Sequence, residues 1–264
     1  MSDLKEYGGY ASPDNLEALG KVMMPIKRQS HLAMQLKIGS VALDVGCGPG
    51  IDTVLLGEIV GPTGKVIGID FDQEMIVAAD KQVEKAGVSG WVLHQHGDAT
   101  HLPFENKHFD ACRSERVFQH LFDPKQALAE LWRVTKPGGW IVVVETDWST
   151  LTIDAAETEI LQKYLRIIVE DMHNSPYVAR QLYALFRQQG LVDITLEGYV
   201  TPNTDYGLAN WMLGFDEIDE YALKNGKLTK GELQRLRSGF EEASARDEFY
   251  GSINMVMIAG RKPQ

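Results

Sequence analysis

Cysteine is nearly absent: Cys47 and Cys112 are the only two, and they do not form a Cys-x-x-Cys pair. A disulfide scaffold and a cysteine-rich zinc site are thereby excluded, and both thiols are expected as small buried side chains in a reducing compartment. Positive charge is also in short supply, with 26 Lys and Arg against 37 Asp and Glu and a net charge of −11. Such a surface repels phosphate backbones and anionic lipid, so neither nucleic acid nor a membrane is expected as a partner. No run approaches the roughly 20 apolar residues that cross a bilayer, and the opening Met1-Ser-Asp-Leu-Lys-Glu-Tyr-Gly-Gly-Tyr10 has no apolar secretion core. The expected location is the cytoplasm. Repeats and low-complexity tracts are missing too. What remains, 44% hydrophobic and 24% charged residues over 264 positions, is the composition of an ordinary globular chain with a sizeable core.

From residue 41 onward short apolar runs of β character alternate with helical periodicities, the pattern of an α/β domain on a mostly parallel sheet. Strands are predicted at Val41–Gly46, Lys65–Asp70, Trp91–His96, Phe109–Arg113 and Trp140–Glu145, then around Val192, Ile194 and Leu196, and at Ser252–Gly260. Asp72 is placed to cap a helix burying Met75, Ile76, Ala79 and Val83. Asp123-Pro124 opens another with Leu128, Leu131 and Val134 inward, stopped at Lys136-Pro-Gly-Gly139. Asp154-Ala-Ala-Glu157 reads as a capping box before a helix carrying Ile160, Tyr164, Leu165, Ile168 and Met172. A further helix with Val178, Leu182, Leu185 and Phe186 on one face ends at Gly190, and helical segments follow near Tyr206–Leu223 and Thr229–Ala245. Ahead of the core, Ser12-Pro13 starts a helix with Leu16, Leu19, Met23 and Ile26 on one face, interrupted at Pro25.

The most informative stretch is Val41-Ala-Leu-Asp-Val-Gly-Cys-Gly-Pro-Gly50, a buried strand running into three alternate glycines and then an apolar helix. Glycine in a strand-to-helix turn admits positive φ and close approach of a ligand to the backbone, as in nucleotide-binding loops. The next strand ends in Asp70, 26 residues after Asp44, where a carboxylate can accept from both hydroxyls of a ribose. A nicotinamide dinucleotide is the rival ligand, but its loop reads G-x-G-x-x-G. Here the glycines are Gly46-x-Gly48-x-Gly50, and Pro49 removes an N–H that a pyrophosphate would use.

Together with Gly68-Ile-Asp70, Gly97-Asp-Ala99, Leu102-Pro-Phe104, Phe109-Asp110 and Arg133-Val-Thr-Lys-Pro-Gly-Gly139, this stretch resembles the class I S-adenosylmethionine-dependent methyltransferases. The likeness is to the small-molecule branch that includes ubiquinone and menaquinone biosynthesis enzymes. It covers residues 41–146 closely and the last strand loosely. It implies a Rossmann-like, doubly wound sheet of seven strands, mostly parallel, with helices on both faces. The chain would divide into an N-terminal helical cap (1–40), a cofactor-binding core (41–150) and a helical lid that also completes the sheet (151–264), one domain overall. The resemblance implies that Asp44 and the backbone around Gly46, Cys47, Gly48 and Gly50 hold the amino-acid end of S-adenosylmethionine. Asp70 would take the ribose, Phe71 or Met75 a face of the adenine, and Asp98, following Gly97, the adenine amino group beside the Ala99 N–H. Ser114 would touch the methionine end, and Tyr7 and Tyr10 would close the site.

Methyl transfer from a sulfonium is an in-line displacement, so the protein supplies approach, desolvation and, for a hydroxyl or thiol acceptor, a base. Candidate bases at the carboxyl ends of the strands are His120, Glu145 and Asp147, each equally readable as a packing, turn or anchoring residue. His94, His96, His101 and His108 are read as structural, and no metal is expected; Glu115 and Asp147 fit a metal-dependent scheme poorly. Trp148, Tyr164, Met172, His173, Tyr177, Tyr206, Trp211, Met212 and Phe215 could form a pocket for an apolar or aromatic acceptor or simply helix cores, and Arg113, Arg116 and Arg180 could anchor an acidic group or be ion-paired. The expected activity is methylation of an oxygen, nitrogen or carbon of a small molecule by a monomer or homodimer. The alternatives are another reaction on the same cofactor, such as cyclisation, or a non-catalytic or protein-directed member of the fold.

Overall fold

The computed structural model describes Leu16, Leu19, Gly20 and residues 22–264. They gather into two units. One holds the described residues up to Glu145 with Val178–Gly198 and Val256–Gln264; the other holds Thr146–Tyr177 and Tyr199–Met255. The expected division into consecutive segments therefore differs from the grouping found, in which the chain leaves the first unit and returns to it twice. Ser12-Pro13, Tyr7 and Tyr10 lie outside the described residues.

The first unit is built from α1 (Met24–Ala33), β1 (Val41–Val45), α2 (Ile51–Val60), β2 (Lys65–Asp70), α3 (Gln73–Ala86), β3 (Val92–His96), β4 (Phe109–Glu115), α4 (Pro124–Val134), most of β5 (Thr135–Ile153), α6 (Val178–Gln188) and parts of β6 (Val192–Asn203) and β7 (Gly251–Arg261). The sheet has seven strands in the order β3-β2-β1-β4-β5-β7-β6. β1 pairs in parallel with β2 and β4, β2 with β3, and β4 with β5. β7 runs against β5, as Gly138 N–H donates to Lys262 O and Lys262 N–H to Gly139 O. Order reverses between β1 and β4, and open α/β sheets bind ligands outside the carboxyl ends of the strands at that switch point.

Local chemistry accounts for most element ends. Asp72 accepts from the Glu74 N–H and Gly87 closes α3 in the left-handed region, while the buried face is the expected Met75, Ile76, Ala79 and Val83. Asp123 accepts from the Gln126 N–H and Pro124 takes the first turn of α4. One sheet face buries Leu43, Val45, Ile67, Ile69, Cys112 and Val143 against Leu128 and Leu131 of α4 and Leu182 and Phe186 of α6. Each such side chain contributes about 1.5–3 kcal/mol of transfer free energy.

The second unit contains α5 (Thr158–Glu170), α7 (Tyr206–Leu213), α8 (Phe215–Lys224) and α9 (Lys230–Ala245) with the remaining parts of β5, β6 and β7. Its core holds Tyr164, Phe215, Phe240 and Phe249, all buried. Arg237 lies 4.7 Å over the Phe215 ring and donates to Asp219 at 2.8 Å and to the Tyr164 and Tyr206 hydroxyls at 3.2 Å. Among the described residues no helix is long and apolar enough to cross a membrane.

Three expectations needed correction. Asp154 does not cap α5, which begins after Glu157 with no side-chain cap, and a capping box is instead formed by Thr229 with Glu232 at the start of α9. The helix expected over Tyr206–Leu223 is two, broken at Gly214, whose φ of 65° no helix tolerates. β5 is far longer than Trp140–Glu145. Thr135 already pairs with Phe109, an irregularity between Phe109 and Ala111 absorbs the turn, and the strand continues to Ile153.

Candidate functional site

At the end of β1 the chain turns through Gly46 (φ 74°), Gly48 (φ 52°) and Gly50 (φ 86°). The N–H groups of Gly46 and Cys47 both donate to Ile69 O, at 2.7 and 2.9 Å, fastening the turn to the end of β2. The three glycines do different work. A Cβ on Gly46 would collide with Val117 Cγ2, and one on Gly50 would stand 2.9 Å from Ala79 Cα, so both serve close packing. Over Gly48 the nearest described atom is Leu16 Cδ1 at 3.7 Å, an ordinary van der Waals contact, so its positive φ rather than crowding among the described residues asks for glycine there. Cys47 is buried against Gly68, its thiol pushed well up by burial and by the Asp44 and Asp70 carboxylates.

Asp70 is bonded to that turn. Its Oδ2 accepts the Gly48 N–H at 2.8 Å and its Oδ1 the Asp72 N–H at 2.9 Å, leaving each oxygen a second lone pair. Burial lifts its carboxyl above the usual range against these N–H donors. Phe71 next to it is 63% exposed and tilts over His96, whereas Met75 is buried in the helix packing. The Gly97 N–H donates to Asp70 O, which carries the chain to Asp98. Asp98 is exposed; burial acts to raise its carboxyl, but the Thr100 N–H and hydroxyl, both at 2.8 Å, and His101 together hold it below the usual value. Ala99 behind it is buried. The following loop is clamped by Arg133, which donates to Leu102 O (2.9 Å), Phe104 O (2.7 Å) and Asn106 (2.9 Å) while bridging Glu130, whose other oxygen accepts the Leu102 N–H. Sequence reasoning saw these motif residues without this role.

Three polar oxygens on adjacent strands are buried with no partner among the described residues: Asp44 Oδ2 and Ser114 Oγ near the ends of β1 and β4, and Glu145 Oε2 within the long β5. Asp44 Oδ1 pairs with Arg113 at 3.1 Å. Arg113 is 1% exposed and also bonds Ser30 Oγ, Asp52 and Glu115, while Lys27 joins Asp52 (2.6 Å) and Glu115 (2.7 Å), and His31 meets Asp52 at 2.7 Å. Of the two readings offered for Arg113, acid anchor or ion-paired residue, the structure shows the ion-paired one, although buried rather than at the surface; Arg180 is exposed. Burial raises the Asp44 carboxyl to about 7 against the pull of Arg113. Asp52 and Glu115, although buried, are held below the usual range by Arg113 and Lys27. Lys27, His31 and Asp52 escaped the sequence reading. The available signal was polar residues at buried-face positions, Lys27 four residues after Met23 and His31 four after Lys27.

Glu145 Oε1 accepts the Val117 and Phe118 N–H groups at 2.8 and 2.6 Å and so caps the single 3₁₀ turn Phe118–His120 that carries His120. Full burial pushes the Glu145 carboxyl up to about 8. His120 is half-buried with Nε2 3.0 Å from Gln119 Nε2. Asp147, in the second unit, is buried and accepts from Ser149 Oγ at 2.9 Å. His94 joins Thr53 and Asp80, a structural bridge; His96 meets Phe71, His101 meets Asp98 and His108 stacks on Phe104. Among the described residues no cluster of three or more His, Cys, Asp or Glu could hold a metal ion.

Within the second unit, β5 and α5 line an open concavity of about 480 Å³ of mixed character, with Trp148, Leu161 and Tyr177 alongside Asp154, Gln162, Arg166 and Glu170. Of the aromatic residues considered for an acceptor pocket, Trp148 and Tyr177 lie here. Tyr164 and Phe215 are core, and Tyr206 packs against it.

A model of the methyltransferase domain matches residues 43–143, the segment holding all of the strand ends described except the last. Over 256 residues the chain is 32% identical to an uncharacterised 37.1 kDa protein of transposon TN4556 from Streptomyces fradiae, covering 95% of this chain and 72% of that one. It is 32% identical over 199 residues to a demethylmenaquinone methyltransferase of Lysinibacillus sphaericus, covering 70% of this chain and 82% of that enzyme. The fold is shared with the YcgJ protein of Bacillus subtilis, at a TM-score of 0.63 and 19% identity over 90% of this chain and 98% of that one. The glycine turn and the switch-point geometry agree with these likenesses: the chain belongs to the class I S-adenosylmethionine-dependent methyltransferases.

Proposed function

We propose that this methyltransferase acts on an oxygen, nitrogen or carbon of a small apolar or aromatic molecule, in the cytoplasm, as a monomer or homodimer and without nucleic acid or membrane. Its cofactor is S-adenosylmethionine. The residues present fit that group: Asp44 Oδ2 and Ser114 Oγ, buried and without a partner among the described residues, are acceptors for its amino-acid end. In this reading Asp44 and the turn from Gly46 to Gly50 hold the amino acid, Asp70 the ribose, Phe71 the exposed face of the adenine and Asp98 its amino group. When bound, the cofactor supplies an electrophilic methyl group on a sulfonium. The chain's part is to orient and desolvate, and for a hydroxyl acceptor to take a proton at His120, held on a turn that Glu145 caps.

The small-molecule assignment is carried by the concavity between β5 and α5, whose volume lies in the range of ligand pockets, roughly 300–1,000 Å³. A relative with a small-molecule acceptor in its name and the acidic surface support it. The test is turnover with methyl-tritiated S-adenosylmethionine against a panel of quinols, phenols and amines, with a basic protein and RNA in parallel. The expected result is label in a small molecule with one S-adenosylhomocysteine formed per methyl. Label in protein or RNA alone, or a converted substrate without S-adenosylhomocysteine, would overturn the reading.

A further inference from the structure

The sealed cluster at the switch point is not balanced in charge. Its carboxylates are Asp44, Asp52 and Glu115; its cations are Lys27 and Arg113. His31, on Asp52, is held neutral because burial lowers its basicity, and the Cys47 thiol stays protonated. Arg116 reaches the outer side of Glu115 only at 3.8 Å. One negative charge is therefore left over among side chains that are all less than a tenth exposed. The hydrogen bonds show where it rests. Glu115 and Asp52 have both oxygens occupied by Lys27, Arg113 or His31, whereas Asp44 has one oxygen on Arg113 and the other, Oδ2, with no partner among the described residues. A buried surplus charge in a low-dielectric interior takes either a proton or a cation.

We propose that Lys27, Asp52, Arg113 and Glu115 are positioning residues that concentrate this surplus on Asp44, so that the ammonium group of the cofactor exchanges for a proton there. On binding, the Asp44 O–H bond breaks, the proton passes to solvent, and the carboxylate so formed is balanced by the arriving ammonium. The inference rests on the proposed placement of the amino-acid end at Asp44. The carboxyl raised to about 7 in the free protein agrees with it.

Calorimetric titration of the full chain with S-adenosylhomocysteine, repeated in buffers of different ionisation enthalpy, counts the protons released. Close to one is expected at pH 6 and close to none at pH 8.5, with an affinity about tenfold weaker at pH 6, as linkage to a group near 7 requires. 5′-Methylthioadenosine, which has the nucleoside but no ammonium, should release none. Asp52→Asn and Glu115→Gln each remove one negative charge and balance the cluster, so they should abolish the release and flatten the pH dependence while S-adenosylhomocysteine still binds. A purely structural cluster would weaken both ligands alike and leave the proton count unchanged. Equal release with methylthioadenosine, no release by the unaltered protein at pH 6, or undiminished release in whichever of the two variants folds overturns the inference. Failure of S-adenosylhomocysteine to bind the folded chain at any pH overturns the placement at Asp44 on which it rests.

Discussion

Replacing Glu145 by Gln exchanges an ionisable carboxyl for a neutral amide of the same shape at a site with no solvent exposure. The amide oxygen can still accept from the Val117 and Phe118 N–H groups, and the NH₂ takes the place of Oε2, which has no partner among the described residues. At pH 5, where folded Glu145 carries its proton, the two proteins should lie within about 1 kcal/mol. Burial moves the carboxyl from 4.5 to about 8 on folding. Because the folded value is the raised one, the stability associated with it is complete below the unfolded value and is lost as pH rises through the folded one. At 1.36 kcal/mol per unit the ceiling on that loss is about 5 kcal/mol, and half of it is still measurable. The variant should therefore gain on the parent as pH goes from 5 to 8.5, read as the difference in urea midpoints at equal slope. Asp44 and the other titrating groups occur in both proteins and cancel from the difference. A difference that moves by less than about 0.5 kcal/mol over that range, or moves the other way, would refute the reasoning. Activity separates the two roles of this residue: a cap leaves turnover near the parent level, whereas a general base lost to Gln costs about 10²–10⁴-fold.

Asp70→Ala removes the acceptor of the Gly48 and Asp72 N–H groups together with the proposed ribose contact, and should weaken S-adenosylhomocysteine binding by about 10–100-fold in calorimetry; full affinity would refute the ribose assignment. Gly46→Ala sets a Cβ against Val117 at a φ of 74° and should cost about 2–4 kcal/mol in chemical denaturation, with Val117→Ala relieving the collision but not the backbone strain. Arg133→Ala frees the carbonyls of Leu102 and Phe104, and should raise hydrogen exchange of the Leu102 amide; unchanged protection there would show that the clamp is not needed.

Short-range sterics and hydrogen bonding were legible in the residues themselves. Glycine at positions 46, 48 and 50 announced a left-handed turn because no other residue enters that region freely, and Asp72 and Asp123 announced helix starts because their side chains reach N–H groups two or three residues on. Periodicity placed the seven strands and the buried face of α3. The same cues stopped α4 at Val134, just ahead of Lys136-Pro-Gly-Gly139, but misjudged Asp154, whose capping pattern the backbone never used, and the extent of β5, which strand pairing carries from Thr135 to Ile153. What only the tertiary structure decided was the company each polar group keeps. Gly46 and Gly50 are tight because Val117 and Ala79 are folded onto them, Arg113 is sequestered rather than exposed, and Lys27 meets carboxylates 25 and 88 residues away. The strength of such pairs, and the protonation of Asp44 and Glu145, depend on burial and on neighbours brought together across the sheet, quantities that no local pattern of residues encodes.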